Sequence, residues 1–219
     1  MIKSKKFIQE LWRPEPDKSK RSDYYRFERN ERTTLFTSEQ FNDIISTISS
    51  YDLIAYGELE PFYKKIIEWL DIDRSKLLLT SGSDAGIKAV YETFIDHDDE
   101  VIITLPNYAM FSVYADMFSV KKIIHYYEKD LTLNVDELIA KINPNTKLVI
   151  VSNPGHTGTV IKEEEIVKIL NRAKSCEALV LIDEAYHHFY KQTMINNIEN
   201  YNNLIVSRTF SKAFGLASL

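Results

Sequence analysis

From residue 76 onward the chain alternates short apolar, β-branched runs with helical stretches, and this constrains the fold more than any other feature. "KLLLTSGSDAGIKAVYETFI" (76–95) reads as strand, Gly/Ser turn and helix. "DEVIITLPNYAMFSVYADMF" (99–118) repeats that order. "VKKIIHYY" is a strand and "NVDELIAKI" a helix. "KLVIVSNPGHTGTVI" is a strand with a long turn, and "KEEEIVKILNRAKSC" a helix. "ALVLIDEAYHHF" and "NLIVSRTFSK" are further strands. Buried strands alternating with helices predict an α/β domain around a mostly parallel sheet with helices on both faces. In such sheets ligands gather beyond the carboxyl ends of the strands. The polar clusters fall there: 81–84, Asn107-Tyr108, 152–159, 183–186 and 209–212.

Two amphipathic helices precede the sheet. "TSEQFNDIISTIS" (37–49) opens on a cap-like Thr/Ser and spaces Phe41, Ile44, Ile45 and Ile48 helically. "ELEPFYKKIIEWLDI" (58–72) does the same, with Pro61 near its start. Residues 1–30 are polar and charged, and Pro14 and Pro16 interrupt any helix. The expected organisation is an N-terminal arm over 1–30 and one domain over 31–219.

Composition narrows the class. The net charge of −5 gives no basic footprint for nucleic acid. No apolar run approaches the roughly 18 residues of a membrane span, and "MIKSKK" leads into "FIQELW" rather than a signal-peptide core. The single cysteine, Cys176, allows no internal disulfide and no cysteine-based metal site, so a reducing cytoplasm is the simplest setting.

Three stretches carry chemistry. In "SGSDAG" (81–86) the free N–H groups of a helix start make a phosphate cradle, though alone the stretch reads first as a helix capped by Ser83 or Asp84. Asp183 ends an apolar run, where a carboxylate needs a cationic partner, backbone donors or a metal. His187 and His188 beside it lack metal-ligand spacing. Lys212 is by default a solvated surface lysine. Beside small hydroxyl residues at a strand's carboxyl end, however, it can form a Schiff base while the hydroxyls bind phosphate.

In this order the stretches resemble the fold-type I pyridoxal-phosphate enzymes, specifically the class I/II aminotransferases and their histidinol-phosphate aminotransferase subgroup. The resemblance runs from "RNERTTLF" (29–36) to the end, and "DEAY" followed by "SRTFSKAFGLA" is its specific part. It implies the large domain of that fold, with pyridoxal 5'-phosphate held on Lys212. That lysine then moves the proton between the substrate Cα and the cofactor. Asp183 would pair with the pyridine nitrogen, Tyr186 with the ring oxygen, and Tyr108 would stack on the ring. Gly82, Ser83 and Asp84, with Thr209 and Ser211, would hold the phosphate. Tyr56, in "YGELE", would reach the neighbouring subunit's phosphate, which implies a homodimer. An amino donor and a 2-oxo acid would be the substrates.

Two departures qualify the resemblance. The family's Asn-Pro-x-Asn-Pro-Thr-Gly loop is replaced by "SNPGHTGT" (152–159), leaving Asn153 or His156 as donor to the ring oxygen. The chain ends at "SKAFGLASL", before the arginines that family members use for phosphate and substrate carboxylate. The expectation is therefore a large domain cut after its lysine, its small C-terminal domain missing and its sheet edge needing cover. Two other readings stand beside transamination: a phosphothreonine-type decarboxylase on the same cofactor, and a truncated remnant or binding module without turnover.

Overall fold

The computed structural model describes residues 2–4, 6–9, 23, 25, 27 and 29–218. Helix α1 is one turn, Lys6–Gln9; Pro14 and Pro16 lie outside the described residues. Helix α2 (Ser38–Ser46) starts at a capping box. The Thr37 hydroxyl accepts the Gln40 N–H at 3.2 Å, and the Gln40 side chain accepts the Thr37 N–H at 3.1 Å. Its apolar stripe stays outside, with no α2 residue buried and Phe41 54% exposed. Helix α3 (Glu60–Leu70) carries Pro61 in its first turn and buries Tyr63 and Ile66.

Helix α4 (Gly82–Phe94) leads into the sheet, whose strands are β1 (Glu100–Leu105), β2 (Lys121–Tyr126), β3 (Thr146–Ser152), β4 (Leu179–Asp183) and β5 (Leu204–Ser207). Between them run α5 (Ala109–Met117), α6 (Val135–Lys141) and α7 (Glu163–Lys174). The strand order is β2-β1-β3-β4-β5 and every pairing is parallel. As the alternation predicts, β1 and β3 are buried almost throughout, because helices cover both faces.

Side-chain alternation divides the core in two. Ile102, Val149, Val151, Val180 and Ile182 pack on one face with Leu138 of α6 and Ile166, Ile169 and Leu170 of α7. Val101, Ile103, Leu148, Ile150 and Leu181 pack on the other with Ile87 and Tyr91 of α4 and Phe111 and Ala115 of α5. Each fully buried aliphatic side chain contributes about 1.5–3 kcal/mol, so the sheet is a stiff platform. Helix α7 carries charges that complement its dipole, with Glu163, Glu164 and Glu165 in its first turn and Arg172 and Lys174 in its last.

One strand expected from the sequence does not form. Leu77–Thr80 enters no ladder, and Leu78 is 70% exposed. A strand exists only where a neighbour accepts its backbone groups. Here the Leu79 N–H donates instead to the Tyr63 hydroxyl at 3.0 Å.

The register fixes where the chemistry lies. Ser152 faces Asp183, and Asp183 faces Ser207, so the carboxyl ends of β3, β4 and β5 form one row.

Candidate active site

Asp183 ends β4 within that row, and its side chain is buried. Its Oδ1 accepts the Ala185 N–H at 3.2 Å. Burial pushes the carboxyl up to about 6, Glu184 adds to the rise, and the Ala185 N–H and Lys212 pull the other way. Such a group is set to receive a positive charge brought by a ligand.

Lys212 sits in the turn after β5, half-buried, where the Gly215 N–H donates to its carbonyl at 3.1 Å. Desolvation lowers the affinity of its amine for a proton, and Glu31 and Asp183 oppose that shift. An amine eased toward its neutral form is a better nucleophile. Its Nζ donates to the Arg29 carbonyl at 2.7 Å.

The aromatic residues close the group. The Tyr108 ring lies near-parallel to His156, with centroids 6.5 Å apart, and His156 meets Tyr186 edge-on at 5.4 Å. Burial pushes the Tyr186 phenol upward. Tyr108 is anchored from two sides. The Asn107 side chain accepts both the Tyr108 N–H at 2.8 Å and the hydroxyl of buried Ser152 at 2.6 Å. The Tyr108 hydroxyl donates to Asp84 Oδ1 at 3.2 Å, while Tyr114 donates to Oδ2 at 2.9 Å.

That pairing settles what Asp84 does at the start of α4. Neither Ser83 nor Asp84 caps the helix; the residue before it, Ser81, makes no side-chain cap bond, and Asp84 turns its charge onto two phenols. Gly82, the first residue of α4, has φ +72° and donates its N–H to the Thr80 carbonyl at 2.7 Å, while the N–H groups that follow it in the first turn receive no side-chain cap. An anion with several oxygens suits such a helix start. Thr209 and Ser211 bond to one another, hydroxyl to hydroxyl, at 2.9 Å.

The donor set therefore fits a flat, cationic heterocycle carrying an aldehyde and a phosphate. It offers a buried carboxylate, a desolvated amine, aromatic walls and an uncapped helix start. Tyr108, Asp183, Tyr186 and Lys212 come together through their contacts with His156 and with one another. Asn153 does not join them. Its amide is spent on the loop itself, donating to the Ile161 carbonyl at 3.1 Å and accepting the Ile161 N–H at 2.9 Å. A buried Asn in a tight turn satisfies backbone groups first, and the His156 ring is the one that faces the site. Tyr56 is fully exposed on the segment between α2 and α3.

Two participants escape a reading of the sequence. Arg208, just after β5, donates through Nε at 3.0 Å and Nη2 at 2.9 Å to the buried Glu184 beside Asp183. Glu184 also accepts the Met194 N–H at 2.6 Å and the Thr193 hydroxyl at 2.8 Å. A Glu and an Arg at adjacent strand ends were the available signal. The second is the segment from Arg29 to Arg32. Besides the Arg29 bond to Lys212, the Asn30 Nδ2 donates to the Tyr186 hydroxyl at 2.7 Å. Arg32 packs so close to Gly215 that a Cβ there would meet its Cδ at 2.6 Å.

Comparison with known proteins agrees with this geometry. Residues 23–219 match the family model described as aminotransferase class I and II. A histidinol-phosphate aminotransferase of Caldanaerobacter subterraneus is 32% identical over 201 residues, covering 89% of this chain and 56% of the relative. One of Methanococcoides burtonii is 37% identical over 178 residues, covering 80% and 49%. The chain thus spans about half the length of the curated relatives it matches. Among solved structures, a histidinol-phosphate aminotransferase of Sinorhizobium meliloti in complex with pyridoxal-5'-phosphate superposes with a TM-score of 0.73 at 22% identity, over 86% of this chain and 52% of that one. That likeness establishes the fold.

Proposed function

Because the chain belongs to the class I and II aminotransferases, we propose that it acts in a pyridoxal-phosphate-dependent transaminase. It would move an amino group between an amino acid, or an amino-alcohol phosphate, and a 2-oxo acid. One observation carries the reading: a buried carboxylate, Asp183, and a half-buried amine, Lys212, follow adjacent parallel strands at their carboxyl ends, beside the Tyr186 and His156 rings. Pyridoxal phosphate, when bound, supplies the electron sink that makes the substrate's α-proton acidic.

The roles of the residues follow from their surroundings. Asp183 holds the ring nitrogen in its protonated form, and this relieves the cost of its own burial. Lys212 would hold the aldehyde, and its Nζ is the amine that would take and return a proton at the substrate α-carbon. Tyr186 would donate to the ring oxygen, and Tyr108 would supply an aromatic wall for the ring. Ser83 would offer its N–H to the phosphate, with Thr209 and Ser211 as hydroxyl donors, whereas the Gly82 N–H is spent on the Thr80 carbonyl at 2.7 Å. Asp84 serves through Tyr108 rather than through the phosphate, since a carboxylate aimed at an anion would repel it.

A homodimer belongs to this proposal. Phe41, Ile45, Tyr51, Leu53, Ile54, Tyr56 and Leu59 all lie exposed in one short stretch of the chain, apolar groups that a partner surface would cover. A second copy covering it would bring Tyr56 toward the other subunit's phosphate, and light scattering that gives a monomer's mass would count against it. A cytoplasmic setting suits the single, buried Cys176.

The test is product analysis. The chain is supplied with pyridoxal phosphate, a panel of amino donors including histidinol phosphate, and a 2-oxo acid. Amino transfer is expected, lost in Lys212→Ala. Carbon dioxide release without amino transfer would replace the reading with a decarboxylase.

A further inference from the structure

The segment between Arg29 and Arg32 meets the candidate site at three points, and Asn30 makes the contact with consequences for chemistry. A phenol has one proton to give and lone pairs to receive. The Asn30 amide donates to the Tyr186 oxygen, so the hydroxyl's own proton is left to point elsewhere. Accepting that bond also makes the phenol a stronger donor, since hydrogen bonds in series polarise one another. The backbone favours asparagine as well: Asn30 has φ +52°, a left-handed conformation that Asn, Asp and Gly adopt more readily than other residues.

We propose that Asn30 is a positioning residue of this site: it fixes the Tyr186 hydroxyl so that its proton faces the ring oxygen of pyridoxal phosphate, a duty the turned-in Asn153 does not perform. The inference rests on the proposed cofactor reading for its purpose, but the tie between Asn30 and Tyr186 does not. The titratable groups around the phenol are Asp183 at the end of β4, His156 on the loop after β3, and Lys212, linked through the neighbouring Arg29 carbonyl. Burial and Asp183 push the phenol up, and the Asn30 bond pulls it down.

The test places 3-fluorotyrosine at position 186 and follows its fluorine resonance against pH in the cofactor-free chain. Asn30→Gly keeps the backbone conformation and deletes the amide; Asn30→Asp keeps the size and replaces a donor by an acceptor. The phenol midpoint is expected to rise by about half to one pH unit in Asn30→Gly, and further in Asn30→Asp. An unchanged midpoint in Asn30→Gly would overturn the tie. With pyridoxal phosphate bound, the pH midpoint of its visible band should shift in Asn30→Gly but not when Tyr186→Phe is also present. A shift that survives in the Tyr186→Phe background would show that Asn30 acts independently and overturn the positioning role. A parent chain that takes up no cofactor would remove both the functional reading and the role assigned to Asn30, while the fluorine titration judges the tie separately.

Discussion

Asp183 shows at the scale of one residue how function and stability oppose each other. Its carboxyl is held near 6, well above the ordinary 3.8, because burial disfavours the charge. Between those two values the folded chain binds more protons than the unfolded one. The penalty is therefore absent below about pH 4 and complete above about pH 6. At neutral pH a buried negative charge destabilises the cofactor-free protein, by an amount on the order of 2–3 kcal/mol. Asp183→Asn removes the charge but not the shape. We expect the cofactor-free variant to unfold at a higher temperature than the parent at pH 7.5, and the gap to close as pH approaches 4. Affinity for pyridoxal phosphate should move the opposite way, falling at least tenfold. A variant that is less stable at pH 7.5 would make Asp183 a structural acid.

At the scale of elements, the site depends on how β4 and β5 are tied at their carboxyl ends. Arg208 and Glu184 lock the two strands one residue past the row that holds Asp183 and Ser207. Arg208→Met would leave the buried Glu184 without its guanidinium partner, a loss of about 3–5 kcal/mol. Adding Glu184→Gln should recover at least half of that loss in a thermal unfolding experiment, because the amide can still accept the Met194 N–H. A neutral Arg208→Met would mean the pair contributes nothing. This tie also marks the limit of what the sequence discloses. Strand and helix order was legible because burial on both faces writes itself as unbroken apolar runs such as "LVIV" and "LVLI". Asp183 stood out because a charge that closes such a run needs a partner, whereas Lys212 by itself read as a surface lysine and was singled out only by the resemblance of "SRTFSKAFGLA". Leu77–Thr80 was misleading, since an apolar run specifies a willingness to pair and not the presence of a neighbour. Asn30 was hidden because its contact spans more than 150 residues and the polar segment around it has no periodicity to read.

For the whole molecule, a two-sided core beneath a row of aligned strand ends presents Asp183, Tyr186 and Lys212 from two adjacent strands. The crossing segment at 29–32 brings Asn30 to the same place. We propose that this constellation holds pyridoxal phosphate on one amine among the chain's many lysines. The direct measurement is to add the cofactor, reduce with borohydride and map the modified peptides by mass spectrometry. One modification per chain is expected, on the peptide containing Lys212, accompanied by a visible absorption band and abolished by Lys212→Ala. Labelling scattered over surface lysines, or unchanged in Lys212→Ala, would contradict it.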